Sequence, residues 1–498
     1  MQTARASRIG LVFGLLLSGL ASATPGAADN FREEELGPLV GPMFNRTLSK
    51  GELHIAYATQ RESKFAVVLD GQTGPGYDDI MTGTPVFSPD GKRVAYGAKK
   101  EKKWLVVLDG RPGPEYDAIM AGTPVFSADG KRFAYAVKQG EKWFVVLDGR
   151  PEPEYDDIMA GTPVFSPDGK HCAYGARKAG HWCVVLDGRP GPECNAILAG
   201  TPVFSPDGKR CAYGARRMGK WSIVLDGQAG PEYDAILKGT PVFSAEGSHV
   251  AYAAKKGEKW LVVLEGQPDP EYDDIMKGTP VLSTDGKRVA YAAKKGEKWL
   301  VVLDGRPEPE YDAIMAGTPV FSADGTHVAY AAKKGEKWLV VLDGRPEPEY
   351  DDIMKGTPVL SADGKRVAYA ARKGEEWLVV LDGRPGPECN GIMTGTPVFS
   401  PDGKRCAYCA RNAGKWSVIL DGRPGPECNG IIAGTPIFSA DGKHCAYGAV
   451  KTGKWFVVLD SQMGPEYEGV LSLSFHPDGA LEYLAAQGGA FCRVTQAP

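Results

Sequence analysis

The chain has 498 residues, with 58 Lys plus Arg against 62 Asp plus Glu and a net charge of −4. That balance lacks the clustered positive excess needed to hold nucleic-acid phosphates, so a nucleic-acid partner is not expected. A hydrophobic content of 43% is too high for a disordered chain and ordinary for a packed one.

Residues 1–23 read as a secretory signal peptide. Arg5 and Arg8 make a positive start, Ile9 to Leu20 is a short apolar run, and Ala21-Ser22-Ala23 is a small-residue cleavage site. No Cys follows the run to take a lipid, and no later segment is long and apolar enough for a transmembrane helix. The expectation is an exported protein, periplasmic or extracellular, in a compartment where disulfides persist. Residues 24–44 form an N-terminal segment in which Leu36 to Phe44 is expected to supply a ring-closing strand.

From residue 45 onward the chain repeats every 39 residues. All ten Trp keep this spacing, from Trp104 through Trp260 to Trp455, with Phe65 in the same place one period earlier. A Tyr series runs in step from Tyr57 and Tyr96 to Tyr447. Twelve units result, the first degenerate and the last truncated. In the unit Thr84 to Gly122, Thr84 to Ser88 reads as a first short strand, followed by the turn Pro89-Asp90-Gly91. Lys92 to Lys99 alternates as a second strand, and Trp104 to Leu108 is a continuously apolar third. Asp109 to Pro114 reads as a break, because proline lacks the ladder donor, and Tyr116 to Met120 as a fourth strand. Nothing has a helical apolar stripe. Four short strands in about 40 residues predict an all-β protein whose units are propeller blades, stable only against their neighbours.

Phe-Ser-Pro-Asp-Gly-Lys-Arg-Val-Ala-Tyr (Phe87 to Tyr96) and its copy at Phe399 to Tyr408 resemble the PD40 repeat of TolB-like, WD40-like propellers. The resemblance covers residues 45 to 498 and implies a β-propeller with a protein or peptide partner in the cell envelope. The α/β domain of TolB and the hydrolase domain of propeller peptidases have no counterpart in the sequence. Because propellers usually have four to eight blades, twelve units suggest two six-bladed rings, repeats 1–6 at 45–278 and repeats 7–12 at 279–498. One large closed ring is the alternative.

Catalytic motifs such as G-x-S-x-G, a P-loop or H-E-x-x-H are absent. His171, His249, His327 and His444 occupy the position held elsewhere by Arg93, Arg132, Arg210, Arg288, Arg366 and Arg405, and read as interchangeable basic residues. Asp-Gly pairs read as turn chemistry and not as calcium ligands. No metal, cofactor or catalytic residue is expected. The Trp column reads as packing, with a multivalent glycan-binding surface as the alternative and a propeller hydrolase or lyase behind it.

Cys194, Cys389 and Cys428 replace the Tyr that opens the assigned fourth strand, each with another Cys 17 residues on, at Cys211, Cys406 and Cys445. If both positions share one level in neighbouring blades, three disulfides follow: Cys194–Cys211, Cys389–Cys406 and Cys428–Cys445. Buried free thiols are the alternative. Cys406-Ala-Tyr-Cys409 is a poor redox motif, since residues three apart on a strand face opposite sides.

The turns between second and third strands are basic: Lys99, Lys100, Lys102 and Lys103; Arg216 and Arg217; Lys255 and Lys256; Lys294 and Lys295; Lys333 and Lys334. The following connections are acidic, as in Asp148 to Asp157. The two loop classes are expected on opposite faces, giving one positive face for an anionic envelope partner. The reading is a non-catalytic exported scaffold; the sequence does not set its oligomeric state.

Overall fold

The protein is described by a computed structural model covering residues 31–49 and 53–497; the expected signal peptide lies outside the described residues. Twelve sheets follow one another along the chain, and no described residue is helical. In a representative blade, Ala118–Ile119 and Val125–Phe126 both pair with Phe133–Gln139, as two halves of one split first strand. Phe133–Gln139 pairs with Lys142–Leu147, which pairs with Arg150–Pro151 and bridges from Trp143 to Tyr155. Neighbouring blades approach each other through the Val-Phe halves of their first strands, so these converge on the axis.

Two local assignments differ from the sequence reading. The segment after the Asp-Gly pair is the fourth strand, not a break: Arg111 and Pro112 pair with Leu108 and Val107. Proline is tolerated there because an edge strand turns one row of donors outward. Asp109 and Gly110 both take positive φ, 51° and 75°, which makes a two-residue hairpin turn that matches strand twist. Tyr116 then ends this strand, and Ala118–Ile119 already belongs to the next blade.

The twelve blades form a single ring, in place of the two expected. At residue 278 packing continues unbroken, with Tyr272 and Leu237 in one buried cluster with Tyr291 and Leu300 of the next blade. The last blade packs on the first through Leu484 and Phe491 against Leu53, Ile55 and Tyr57. The junctions inside the chain repeat one packing pattern, with Cys194, Cys389 and Cys428 in place of Tyr at three of them, and only the junction of blades 12 and 1 departs from it.

Closure comes from strand exchange between the chain ends. Blade 12 takes three strands from the C-terminus and its fourth from Phe31–Pro38, antiparallel to Ala490–Gln496. This lies upstream of the expected Leu36 to Phe44; Phe44–Leu48 instead pairs with Ile55–Arg61 of blade 1. Leu36, Val40 and Met43 seal the seam between blades 12 and 1. Leu53 of blade 1 is held at both backbone groups by blade 12. Its N–H donates to Glu482 Oε1 at 2.8 Å, and its carbonyl accepts from Arg493 Nε and Nη2 at 3.0 and 2.9 Å.

Within the ring, pairs of Tyr meet edge to face across the junctions, as Tyr311 and Tyr330 do at 6.2 Å and 72°. Such a pair contributes about 1 kcal/mol beyond its buried area. In nine of the blades the first turn is fixed by a Ser–Asp hydrogen bond. Ser166 Oγ donates to Asp168 Oδ1 at 2.6 Å and accepts from His171 N–H, while Asp168 Oδ1 accepts from Lys170 N–H. The Ser166 hydrogen bond, reinforced by Lys170, lowers the Asp168 carboxyl to about 2; Asp285, on Ser283, matches it at about 2. A carboxyl lowered by folding stabilises the fold above its ordinary value near 3.8, and this is lost as pH falls towards 2. Carboxyl NMR titration should therefore find Asp168 ionised well below pH 3.8, and Ser166→Ala should raise its midpoint.

Candidate functional site

The hairpin turns divide the disc into two faces. Each second strand starts at the Ser-x-Asp-Gly turn and runs to the basic turn, where the third strand begins. The fourth strand runs back from the Asp-Gly turn to end beside Trp, again at the basic turn. That path corrects two expectations.

First, charge does not segregate by face. The acidic end of each connection returns to the basic turns. Asp117 Oδ1 receives Lys103 Nζ at 2.5 Å, and its Oδ2 accepts from Gly140 N–H of the next basic turn at 2.7 Å. Lys142–Asp156 repeats the bond at 2.6 Å, and Lys259–Asp273, Lys298–Asp312 and Lys337–Asp351 form the equivalent pairs. Lys100 and Lys295 lie 3.8 and 3.9 Å from Glu115 and Glu310. Lys99 and Lys255 lie over Trp104 and Trp260 at 5.7 and 6.0 Å, and Lys294 and Lys333 stand opposite Trp299 and Trp338 in register. Arg216 and Arg217 donate to the carbonyls of Gly219 and Glu193 at 3.4 and 2.9 Å. Of the predicted basic residues, Lys102, Lys256 and Lys334 are exposed at turn tips and none of the ion pairs among the described residues includes them, as is also true of Lys178, Lys373 and Lys451. This face is therefore a mosaic of both signs.

Second, the three predicted disulfides are absent. All ten cysteines are free, nine of them buried. The physical reason is height within the blade. Asn195, next to Cys194, donates its N–H to the Arg216 carbonyl, at the far end of the strand that Cys211 begins. Five residues of strand separate the two levels by about 16 Å, far beyond the roughly 7 Å a disulfide spans. Asn390 on Arg411 and Asn429 on Val450 place Cys389 and Cys428 in the same way relative to Cys406 and Cys445. Burial raises the Cys172, Cys211, Cys406 and Cys445 thiols to about 12, so they are poor nucleophiles. A thiol reagent applied to the native protein should label at most Cys492, the one cysteine that is only half-buried, and all ten after unfolding.

The basic column after the first turn forms the ring's repeated junction. Arg93 Nε donates to Asp109 Oδ2 at 3.1 Å, Nη1 donates to the Lys131 carbonyl of the next blade at 3.3 Å, and the guanidinium lies 5.5 Å from the Phe126 ring centre. His171, His327 and His444 replace this bond with Nδ1–Asp contacts of 2.6, 2.6 and 2.5 Å. They serve as structural partners to Asp187, Asp343 and Asp460. His249 instead meets Ser248 Oγ at 2.8 Å, because Glu265 stands where the other turns have Asp. No group of three or more His, Cys, Asp or Glu capable of holding a metal occurs among the described residues.

The Trp rings are half-buried, less enclosed than a core reading implies. Lys99, Arg177, Lys255 and Arg411 cover the rings of Trp104, Trp182, Trp260 and Trp416. The covered faces of these four rings are not free to stack on a sugar ring.

The sequence reading missed a set of clefts on the face of the Asp-Gly turns. They open at the junctions of blades 1 and 2, 2 and 3, 5 and 6, and 9 and 10, with volumes of about 410, 690, 420 and 460 Å³. Each has a glycine on the fourth strand of one blade, Gly74, Gly113, Gly230 or Gly386, facing a tyrosine of the next, Tyr96, Tyr135, Tyr252 or Tyr408. A Cβ on these glycines would lie 3.4 to 3.9 Å from the tyrosine hydroxyl. Burial raises these phenols, Tyr408 to about 12, so they stay protonated donors. An Arg–Asp pair, such as Arg93 with Asp109, stands at the rim.

A closed ring of four-stranded blades, with repeated clefts and no distinguished centre, is a β-propeller scaffold. No family model matches the chain, and no curated protein does. Among solved structures, the chain resembles a crystal structure of the eukaryotic initiation factor, with 14% identity, 68% of this chain and 96% of that chain covered, and a TM-score of 0.35. A likeness at that level carries no argument about function. No helix among the described residues is long and apolar enough to cross a membrane.

Proposed function

We propose that this chain is a non-catalytic β-propeller scaffold, exported to the cell envelope, that binds a protein or peptide carrying anionic groups. The reading as a TolB-like, PD40-type propeller rests on the Ser-Pro-Asp-Gly-Lys-Arg repeats, and export rests on the sequence of residues 1–23. The observation that carries the scaffold reading is equivalence. Near-identical blades present similar turn tips around the ring and one kind of cleft at several junctions, whereas an active site needs residues unique to one blade converging on one point. The covered Trp rings weigh against the glycan-binding alternative.

The test is capture of a partner from envelope extract by the purified ring, repeated with Lys102, Lys256 and Lys334 changed to Glu. The scaffold reading expects a saturable partner whose retention falls in the charge-reversed protein. Unchanged retention removes the basic turns from the binding surface, and turnover of an envelope substrate overturns the non-catalytic reading.

A further inference from the structure

The position that opens the clefts is not always glycine. Four blades carry an acidic residue there: Glu152, Asp269, Glu308 and Glu347. At these junctions the side chain reaches across to the Asp-Gly turn of the following blade. A Cβ built on Gly188 would lie 2.8 Å from Glu152 Oε2; on Gly344, 3.1 Å from Glu308 Oε2; and on Gly383, 3.1 Å from Glu347 Oε2. Glycine at the turn is what admits the carboxylate. The carboxylates also stand near the same tyrosines, Glu152 by Tyr174, Glu308 by Tyr330, Glu347 by Tyr369 and Asp269 by Tyr291. Burial raises these phenols and the carboxylate charge adds to it, although the hydroxyls make no hydrogen bond to them. Burial in this setting raises the Asp269 carboxyl. At the last junction the place opposite Gly464 is taken by Phe31, whose ring would lie 3.6 Å from a Cβ there. The recess is thus one that the ring fills wherever it has a side chain to fill it.

We infer that the clefts at Gly74, Gly113, Gly230 and Gly386 are receptor sites for carboxylate side chains of an acidic peptide, each taking the place that Glu152 holds in its own junction. This rests on the scaffold reading and adds a second contact surface to it, on the face opposite the basic turns. At the second cleft the protonated Tyr135 hydroxyl and the cations Arg93, Arg111 and Lys131 line the recess with Asp109 and Asp148; Arg93 is paired to Asp109, which leaves Arg111 and Lys131 as the cations for an incoming carboxylate. Val106, Leu108 and Pro114 line the rest and suit the aliphatic stem of a glutamate. Several equivalent recesses on one face allow one acidic chain to engage more than one, so that modest single-site affinity adds up.

The probe is the capped tripeptide Ac-Pro-Glu-Pro-NH2, which copies the segment around Glu152, titrated into the full chain and followed by line broadening of its own NMR signals. Saturable binding is expected, with more than one peptide per ring. Ac-Pro-Gln-Pro-NH2 should bind about tenfold or more weakly, the value of a charge-assisted hydrogen bond. A variant with Gly74, Gly113, Gly230 and Gly386 changed to Glu fills the clefts from within and should lose binding. It should keep its fold, since Glu already occupies the equivalent place in three blades. Glu152→Gly opens a further cleft and should raise the number bound. Absence of saturable binding, or equal binding of the Gln peptide, or retention by the four-Glu variant, overturns the inference. If the probe fails while the ring still captures a partner from extract, the clefts are wrong and the scaffold stands; probe binding with no partner captured is the reverse.

Discussion

Replacing Arg493 with Ala destabilises the protein by about 3 kcal/mol, measured by denaturant unfolding, whereas the same change at Arg366 costs less than about 1 kcal/mol. The two arginines differ in what they leave behind. Arg366 is partly exposed, and its loss frees surface groups that water can reach: Asp382, bonded at 3.0 Å, and the Lys404 carbonyl at 2.6 Å. Arg493 is 6% exposed and serves the Leu53 carbonyl twice and Glu34 once. Its removal strands a buried carbonyl at the one seam that no covalent continuity protects. Equal effects at the two positions would mean that the seam carries no special load.

Tyr330→Ala is the second large effect, at about 3–5 kcal/mol, the usual loss for a large aromatic ring removed from a core. Tyr330 is fully buried and packs with Tyr311, Ile314, Leu339 and Val341 from two adjacent blades. The cavity therefore falls on a junction and loosens both neighbours. Tyr330→Phe keeps the ring and should stay within about 1 kcal/mol of the parent. Calorimetry of both variants checks this. A Tyr330→Ala protein as stable as the parent would contradict junction packing as the source of the ring's stability.

Much of the blade is legible in the sequence because periodicity reports directly on strands. The alternation of Val94, Tyr96 and Ala98 and the apolar run after Trp104 become the second and third strands. The equivalence of His171 with Arg93 becomes the same bond to an Asp across the hairpin. The fourth strand is hidden because Pro112 and Pro114 lie within it, and proline argues against strands in general but not at an outer edge. That one misreading placed Tyr116 at the start of a strand instead of its end. It therefore put Cys194 level with Cys211 and the acidic residues opposite the lysines. The clefts were visible as an alternation of glycine with glutamate, at Gly113 and Glu152, but only the fold shows that both face the next blade's tyrosine. Ring count is not written in the repeats, because each junction copies the last. It is decided where the repeats fail, at Glu34, Glu482 and Arg493, which occur in the closing blade alone.

The central claim, one ring of twelve blades locked by its own two ends, is tested most directly by electron microscopy of the purified chain. Class averages viewed down the axis should show one annulus with twelve radial spokes and an open centre. Two joined discs of six spokes each, or an open arc with separated ends, would contradict it.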